Sequence, residues 1–149
     1  MNPKFIAITS NNSDLGFTLH LQGQPSPWSR KIFDDCLSPP YFAYYLTVSS
    51  DIVGYFIAMK VADEVTLMDL VVAAGYRGKG YGRVLLEYCM QLSEVAKVQQ
   101  IWLEVRQSNL AAITLYESVG FNVIETRHDY YLSEKGKEDA LIMCLSFFN

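Results

Sequence analysis

Residues 64–92, "EVTLMDLVVAAGYRGKGYGRVLLEYCMQL", change hydrophobic period in mid-stretch, and any fold of this chain has to accommodate that change. The apolar, β-branched run 64–73 reads as a strand. After it, Val84, Tyr88 and Val95, with Leu85, Cys89, Leu92 and Ala96, recur at helical spacing and predict one apolar helix face. Between the two periods stand Gly78, Gly80 and Gly82, interleaved with Lys79 and Arg83. A glycine loop that joins a strand to a helix leaves backbone N–H groups free and points them, with the positive helix end, at an anion. A flexible turn without a ligand has the same local signature.

The flanking segments place this unit in a sheet. "KFIAIT" (4–9) reads as a strand, Asp14–Leu21 as a weak helix, and Ser29 as the N-cap of a short helix through Leu37. "YFAYYLTV" (41–48) and "DIVGYFIAMKV" (51–61), separated by the turn-prone "SSD", predict an antiparallel hairpin. "QIWLEVR" (100–106) is a further strand, and 108–121 a helix capped by Asn109 and ended by Gly120 in the left-handed conformation. "FNVIET" (121–126) and "ALIMCLSFF" (140–148) close the chain as strands. Strands followed by strand–helix–strand–helix–strand–strand give an α+β layered arrangement with a mixed sheet.

With 149 residues, half of them hydrophobic, the chain is expected to form one domain over 1–149. No run approaches the roughly 18 apolar residues that span a bilayer, and the N-terminus lacks a secretory signal. A cytoplasmic protein with no membrane partner is therefore expected. A net charge of −4 argues against direct nucleic-acid binding and mildly favours a cationic partner. Cys36, Cys89 and Cys144 are odd in number and lack C-x-x-C spacing, so neither a disulfide framework nor a zinc site is expected. His20 and His128 read as isolated, which predicts no metal and no catalytic triad.

Two familiar phosphate loops fail on spacing. Counted from Gly75, a Walker loop would need lysine where Tyr81 stands, and Gly78, Gly80 and Gly82 do not give G-x-G-x-x-G. What remains is R-x-x-G-x-G over Arg77–Gly82, and with it the chain resembles the GCN5-related N-acetyltransferase (GNAT) superfamily, whose loop cradles the pyrophosphate of acetyl-CoA. "PWS" (27–29), "WLEVRQSNLAAITLYESVGF" (102–121) and "RHDYY…EDALIM" (127–143) resemble its RimI-type branch, which acetylates the N-terminal alanine of a small-subunit ribosomal protein. The proline that many relatives carry before the loop is missing from "VVAAGYRG", but backbone N–H groups do the binding, so the loop is expected to survive.

The resemblance implies the GNAT fold, a mixed, mostly antiparallel sheet with helices on both faces, and a set of roles. The strand Leu70, Val71 and Val72 would offer backbone groups to the pantetheine arm and polarise the thioester oxygen. Arg77, Gly78, Lys79, Gly80, Tyr81, Gly82 and Arg83 would hold the pyrophosphate, and Asn109, besides capping its helix, would contact the cofactor. Glu104 would be the general base; by its own pattern it could equally be a surface glutamate paired with Arg106. Tyr116 would be the general acid, or else a core tyrosine. Trp28, Tyr130 and Tyr131 would wall the peptide groove, or serve as packing aromatics. Cys89, on the apolar helix face, reads as a structural thiol, so direct attack in a ternary complex is expected. The implied activity is acetyl transfer from acetyl-CoA, with CoA as product, to an alanine α-amine by a monomer or weak homodimer. Alternatives are a lysine, polyamine or small-molecule acceptor, and a non-catalytic acyl-CoA sensor.

Overall fold

The computed structural model describes residues 2–133 and 135–147. Its elements run β1 (Lys4–Ala7), α1 (Asp14–Gly23), α2 (Arg30–Asp35), β2 (Tyr41–Val48), β3 (Asp51–Val61), β4 (Glu64–Val72), α3 (Tyr81–Val95), β5 (Gln100–Arg106), α4 (Leu110–Ser118), β6 (Asn122–Ser133) and β7 (Gly136–Ser146), with a 3-10 turn at Ala74–Tyr76. The strands form one sheet in the order β1-β2-β3-β4-β5-β7-β6. Among the described residues, only β4 and β5 pair in parallel; every other neighbour is antiparallel.

β3 is buried on both faces, as a central strand must be. Its alternate residues feed two cores. Phe56 and Ala58 meet Leu85, Leu86 and Cys89 of α3 on one face, and Tyr55 and Ile57 meet Leu19 of α1 and Phe33 of α2 on the other. Burying a side chain of this size contributes roughly 1.5–3 kcal/mol, so helices on both faces are what the sheet's two apolar surfaces require. The expected layered α+β fold, mixed and mostly antiparallel, is the fold observed. The β2–β3 hairpin turns through Ser49 and Ser50, both left-handed at φ 52° and 72°, the conformation that a two-residue turn needs to match strand twist.

Several boundaries differ from the sequence expectation. Val95 and Ala96 lie outside the buried face of α3, with Val95 77% exposed, because Leu85, Leu86, Cys89 and Ser93 form the inner stripe. β6 continues through "RHDYYLS" to Ser133; it is an edge strand, exposed everywhere but at the half-buried Tyr131, so no alternation marks it in the sequence. The expected last strand ends at Ser146, and Phe148 lies outside the described residues. Among the described residues, no helix is long and apolar enough to cross a membrane.

Candidate active site

The site originates in an incomplete ladder. β4 and β5 pair only at Glu64–Gln100, Val65–Ile101 and Thr66–Trp102; beyond Thr66 they diverge. A bulge at Met68, where β4 carries one residue more than β3, turns the strand away from its neighbour. The opening is a groove of about 830 Å³, lined on one side by Leu67–Val72 and on the other by Leu103–Arg106. One edge of β4 is thus left without a strand partner, and its main-chain groups face the groove.

The glycine loop closes one end. Gly78 and Gly80 take φ values of 76° and 86°, which L side chains rarely adopt, and nothing lies within 4 Å of where a Cβ would stand on either. Gly80 is the N-cap of α3, with no capping side chain and no acidic residue in the first turn, so the leading N–H groups of the helix stay free. Gly82 packs against α4, where an added Cβ would sit 3.3 Å from Leu115. Open strand edge and free helix terminus together fit an extended, amide-bearing chain ending in a pyrophosphate. Leu70, Val71, Val72, Arg77, Gly78, Gly80, Tyr81 and Gly82 all line the groove. Lys79 and Arg83 do not: the Lys79 ammonium lies over the Tyr76 ring, and Arg83 is committed to Ser118 at 3.1 Å and to Glu87 at 3.6 Å along the flank of α3. The charge expected of these two is therefore not aimed into the groove.

Across the groove, strand alternation puts Trp102, Glu104 and Arg106 on the open face of β5, with Ile101, Leu103 and Val105 buried. Glu104 is exposed and pairs loosely with Arg127 at 3.5 Å, while Arg106 takes a different partner, Glu138 of β7, at 2.9 Å. Asn109 caps α4 by accepting the Ala112 N–H at 3.2 Å. Two turns on, Tyr116 is 8% exposed and lines the groove, and its hydroxyl has no hydrogen-bond partner among the described residues. Burial raises its phenol well above the ordinary range, keeping it protonated. Cys89, on the inner face of α3, is fully buried, and burial pushes its thiol up to about 12, which leaves no thiolate for a covalent route at neutral pH.

Trp28 and Tyr131 line the groove and Tyr130 does not. Adjacent strand residues face opposite ways, and Tyr130 stacks outside, against Arg127. The expectation of an isolated His20 is wrong. His20 and Asp69 are both buried groove-lining residues in contact at 2.7 Å, with Tyr55, Gln24 and Trp28 completing the cluster. His128 likewise has a partner, Asp139, at 3.1 Å. Forty-nine residues separate His20 from Asp69, and no local pattern announces the pair.

Comparison with known proteins agrees with this geometry. The family model described as "Acetyltransferase (GNAT) family" matches residues 13–121. The [Ribosomal protein bS18]-alanine N-acetyltransferase of Escherichia coli (strain K12) is 40% identical over 135 residues, 89% of this chain and 91% of that one. The crystal structure of the ribosomal-protein-S18-alanine N-acetyltransferase from Escherichia coli superposes with a TM-score of 0.94 at 34% identity, covering 99% of this chain and 96% of the other. A GNAT family acetyltransferase from Elizabethkingia anophelis with acetyl-CoA bound shares the fold at a TM-score of 0.83 and 17% identity, over 98% and 99% of the two chains.

Proposed function

The chain belongs to the acetyltransferase (GNAT) family, an acetyl-CoA-dependent enzyme family, and from that premise we propose that it acetylates the N-terminal alanine α-amine of a small-subunit ribosomal protein. What carries the acceptor is the Escherichia coli relative named for that substrate, matched along nearly all of both chains. The same reading makes residues 1–149 one catalytic domain, working in the cytoplasm as a monomer or weak homodimer and touching neither nucleic acid nor membrane.

Acetyl-CoA supplies an activated thioester. The free edge of β4 at Leu70–Val72 holds its extended arm, and a main-chain N–H there stabilises charge on the carbonyl oxygen. Gly78–Gly82 and the start of α3 take the pyrophosphate; Arg77, whose Nε is bonded to Val72 O at 3.0 Å, holds the loop to the strand. An α-ammonium titrates near ~7.7–8.0 and a lysine near ~10.4, so Glu104 has far less to do when the acceptor is a chain terminus. Glu104 takes the proton of the ammonium, the amine nitrogen bonds to the carbonyl carbon, and the carbon–sulfur bond breaks. Tyr116 gives its proton to the departing sulfur and is reprotonated by the second proton that the nitrogen sheds, Glu104 passes its own proton to solvent, and the products are N-acetylated peptide and CoA.

Intact-mass analysis of an alanine-initiated peptide from the cognate ribosomal protein, incubated with acetyl-CoA, should show one added acetyl group. The same peptide with a blocked N-terminus and an internal lysine should show none. Acetylation of the blocked peptide or of free polyamines in preference to the α-amine would move the acceptor to a lysine or small amine.

Gly80→Val tests the cofactor end. A β-branched residue at φ 86° is strained by about 1–2 kcal/mol, which the loop relieves by leaving its position. Calorimetry should then show acetyl-CoA binding at least about tenfold weaker. Unaltered binding would take the anion site away from this loop.

A further inference from the structure

Gln24, Pro25, Ser26 and Trp28, between α1 and α2, line the groove, and Trp28 packs with the core on the sheet face opposite α3. We infer that His20 and Asp69 are positioning residues for the acceptor: together they fix this loop to the edge of β4 and so set where the incoming amine meets the acetyl group. The inference rests on the acetyl-transfer reading above.

Asp69 precedes Leu70 on β4, and its carboxylate is fully occupied. Oδ2 accepts from the Tyr55 hydroxyl at 2.5 Å and from His20 Nδ1 at 2.7 Å, while Oδ1 accepts from the Gln24 amide at 2.5 Å. His20 Nε2 accepts the main-chain N–H of Trp28 at 2.8 Å. A nitrogen that accepts this bond carries no hydrogen, so the imidazole proton sits on Nδ1, facing Asp69. Both ring nitrogens are thus engaged, and His20 has none left to take a proton from a substrate. The ring also packs on Trp28, with centroids 4.8 Å apart. A buried imidazole–carboxylate pair is poor value as stabilisation alone, since desolvation offsets most of its attraction. What this pair does uniquely is tether the loop at two points, Gln24 and Trp28. Between them, prolines 25 and 27 fix φ and stiffen the span. Its tip, Ser26, receives Arg106 of β5 at 3.3 Å, and Arg106 is itself held by Glu138 and by the Leu132 carbonyl. The loop therefore bridges the two diverging strands on the acceptor side.

Steady-state kinetics on three variants of the full chain test the assignment. His20→Phe keeps a flat ring against Trp28 and Phe33 but removes the bonds to the Trp28 N–H and to Asp69, leaving Gln24 as the remaining tether. Gln24→Leu removes the half-exposed tether alone. Tyr55→Phe takes a donor from the same carboxylate without touching the loop. His20→Phe should raise KM for the alanine peptide about tenfold, and Gln24→Leu several-fold, each leaving KM for acetyl-CoA within about twofold. Tyr55→Phe should lower the melting temperature yet leave peptide KM unmoved. Peptide KM unchanged in the two loop variants, or raised in all three in step with lost thermal stability, would overturn the role. Should His20→Phe not fold, Gln24→Leu against Tyr55→Phe decides alone. If the wild-type protein leaves the alanine peptide unmodified, the acceptor reading has failed instead.

Discussion

Replacing Glu104 with glutamine is expected to lower kcat by on the order of 10²–10³-fold at pH 7 while leaving acetyl-CoA affinity within about twofold. The substitution preserves shape and removes only the capacity to take a proton. The elements proposed to hold the cofactor, β4 and the glycine loop, are untouched, and Arg127 keeps its other carboxylate, Glu125, at 3.2 Å. The defect should also depend on pH in a defined direction. Below the amine's own pKa of ~7.7–8.0 the neutral fraction of the acceptor falls about tenfold per unit, so a base matters most there. Above it the acceptor arrives already neutral, and the gap between wild type and variant should close. Rapid-quench rates across pH 6–9.5, with calorimetric titration of acetyl-CoA, measure both. Full turnover in the variant, or a gap that is constant with pH, would remove Glu104 from the role of base.

Tyr116→Phe should cost about 10²-fold in kcat with little change in melting temperature. The hydroxyl has no hydrogen-bond partner among the described residues, so removing it breaks no structural bond, while the ring continues to pack against Phe121 and the core. Because burial raises this phenol above its usual ~10, the proton it donates stays in place through the whole assay range. The wild-type rate should accordingly show no falling alkaline limb owed to Tyr116 up to about pH 10, whereas a phenol with a lowered pKa would produce one. Loss of thermal stability matching the loss of rate would make the residue a core tyrosine and no more.

Local signals carried the cofactor end of the groove. Glycines at the period change located the strand–loop–helix unit, and Asn109 and Gly120 bracketed α4 as caps of the expected kind, Gly120 at φ 111°. The acceptor end was much less legible. Glu104 and Arg106 share a strand face, so sequence offers them as partners; the fold gives Arg106 the diagonal neighbour Glu138 across β7, and Glu104 the more distant Arg127. Tyr130 and Tyr131 look alike as a pair, yet the pleat sends only Tyr131 inward. His20 and Asp69 meet only because α1 lies across β4, a contact with no periodicity to betray it.

Three rungs join β4 to β5, and everything past them was left open to be completed by something other than this polypeptide. A ligand bound along that edge is recognised through main-chain atoms, which every residue type supplies equally. The donor side of the cleft is consequently tolerant of side-chain drift, whereas the proposed acceptor side, a proline-stiffened loop and the β6–β7 hairpin, is built from individual side-chain contacts. Descendants of such a chain can exchange one acceptor for another by rewriting those contacts, with the acetyl donor inherited unchanged.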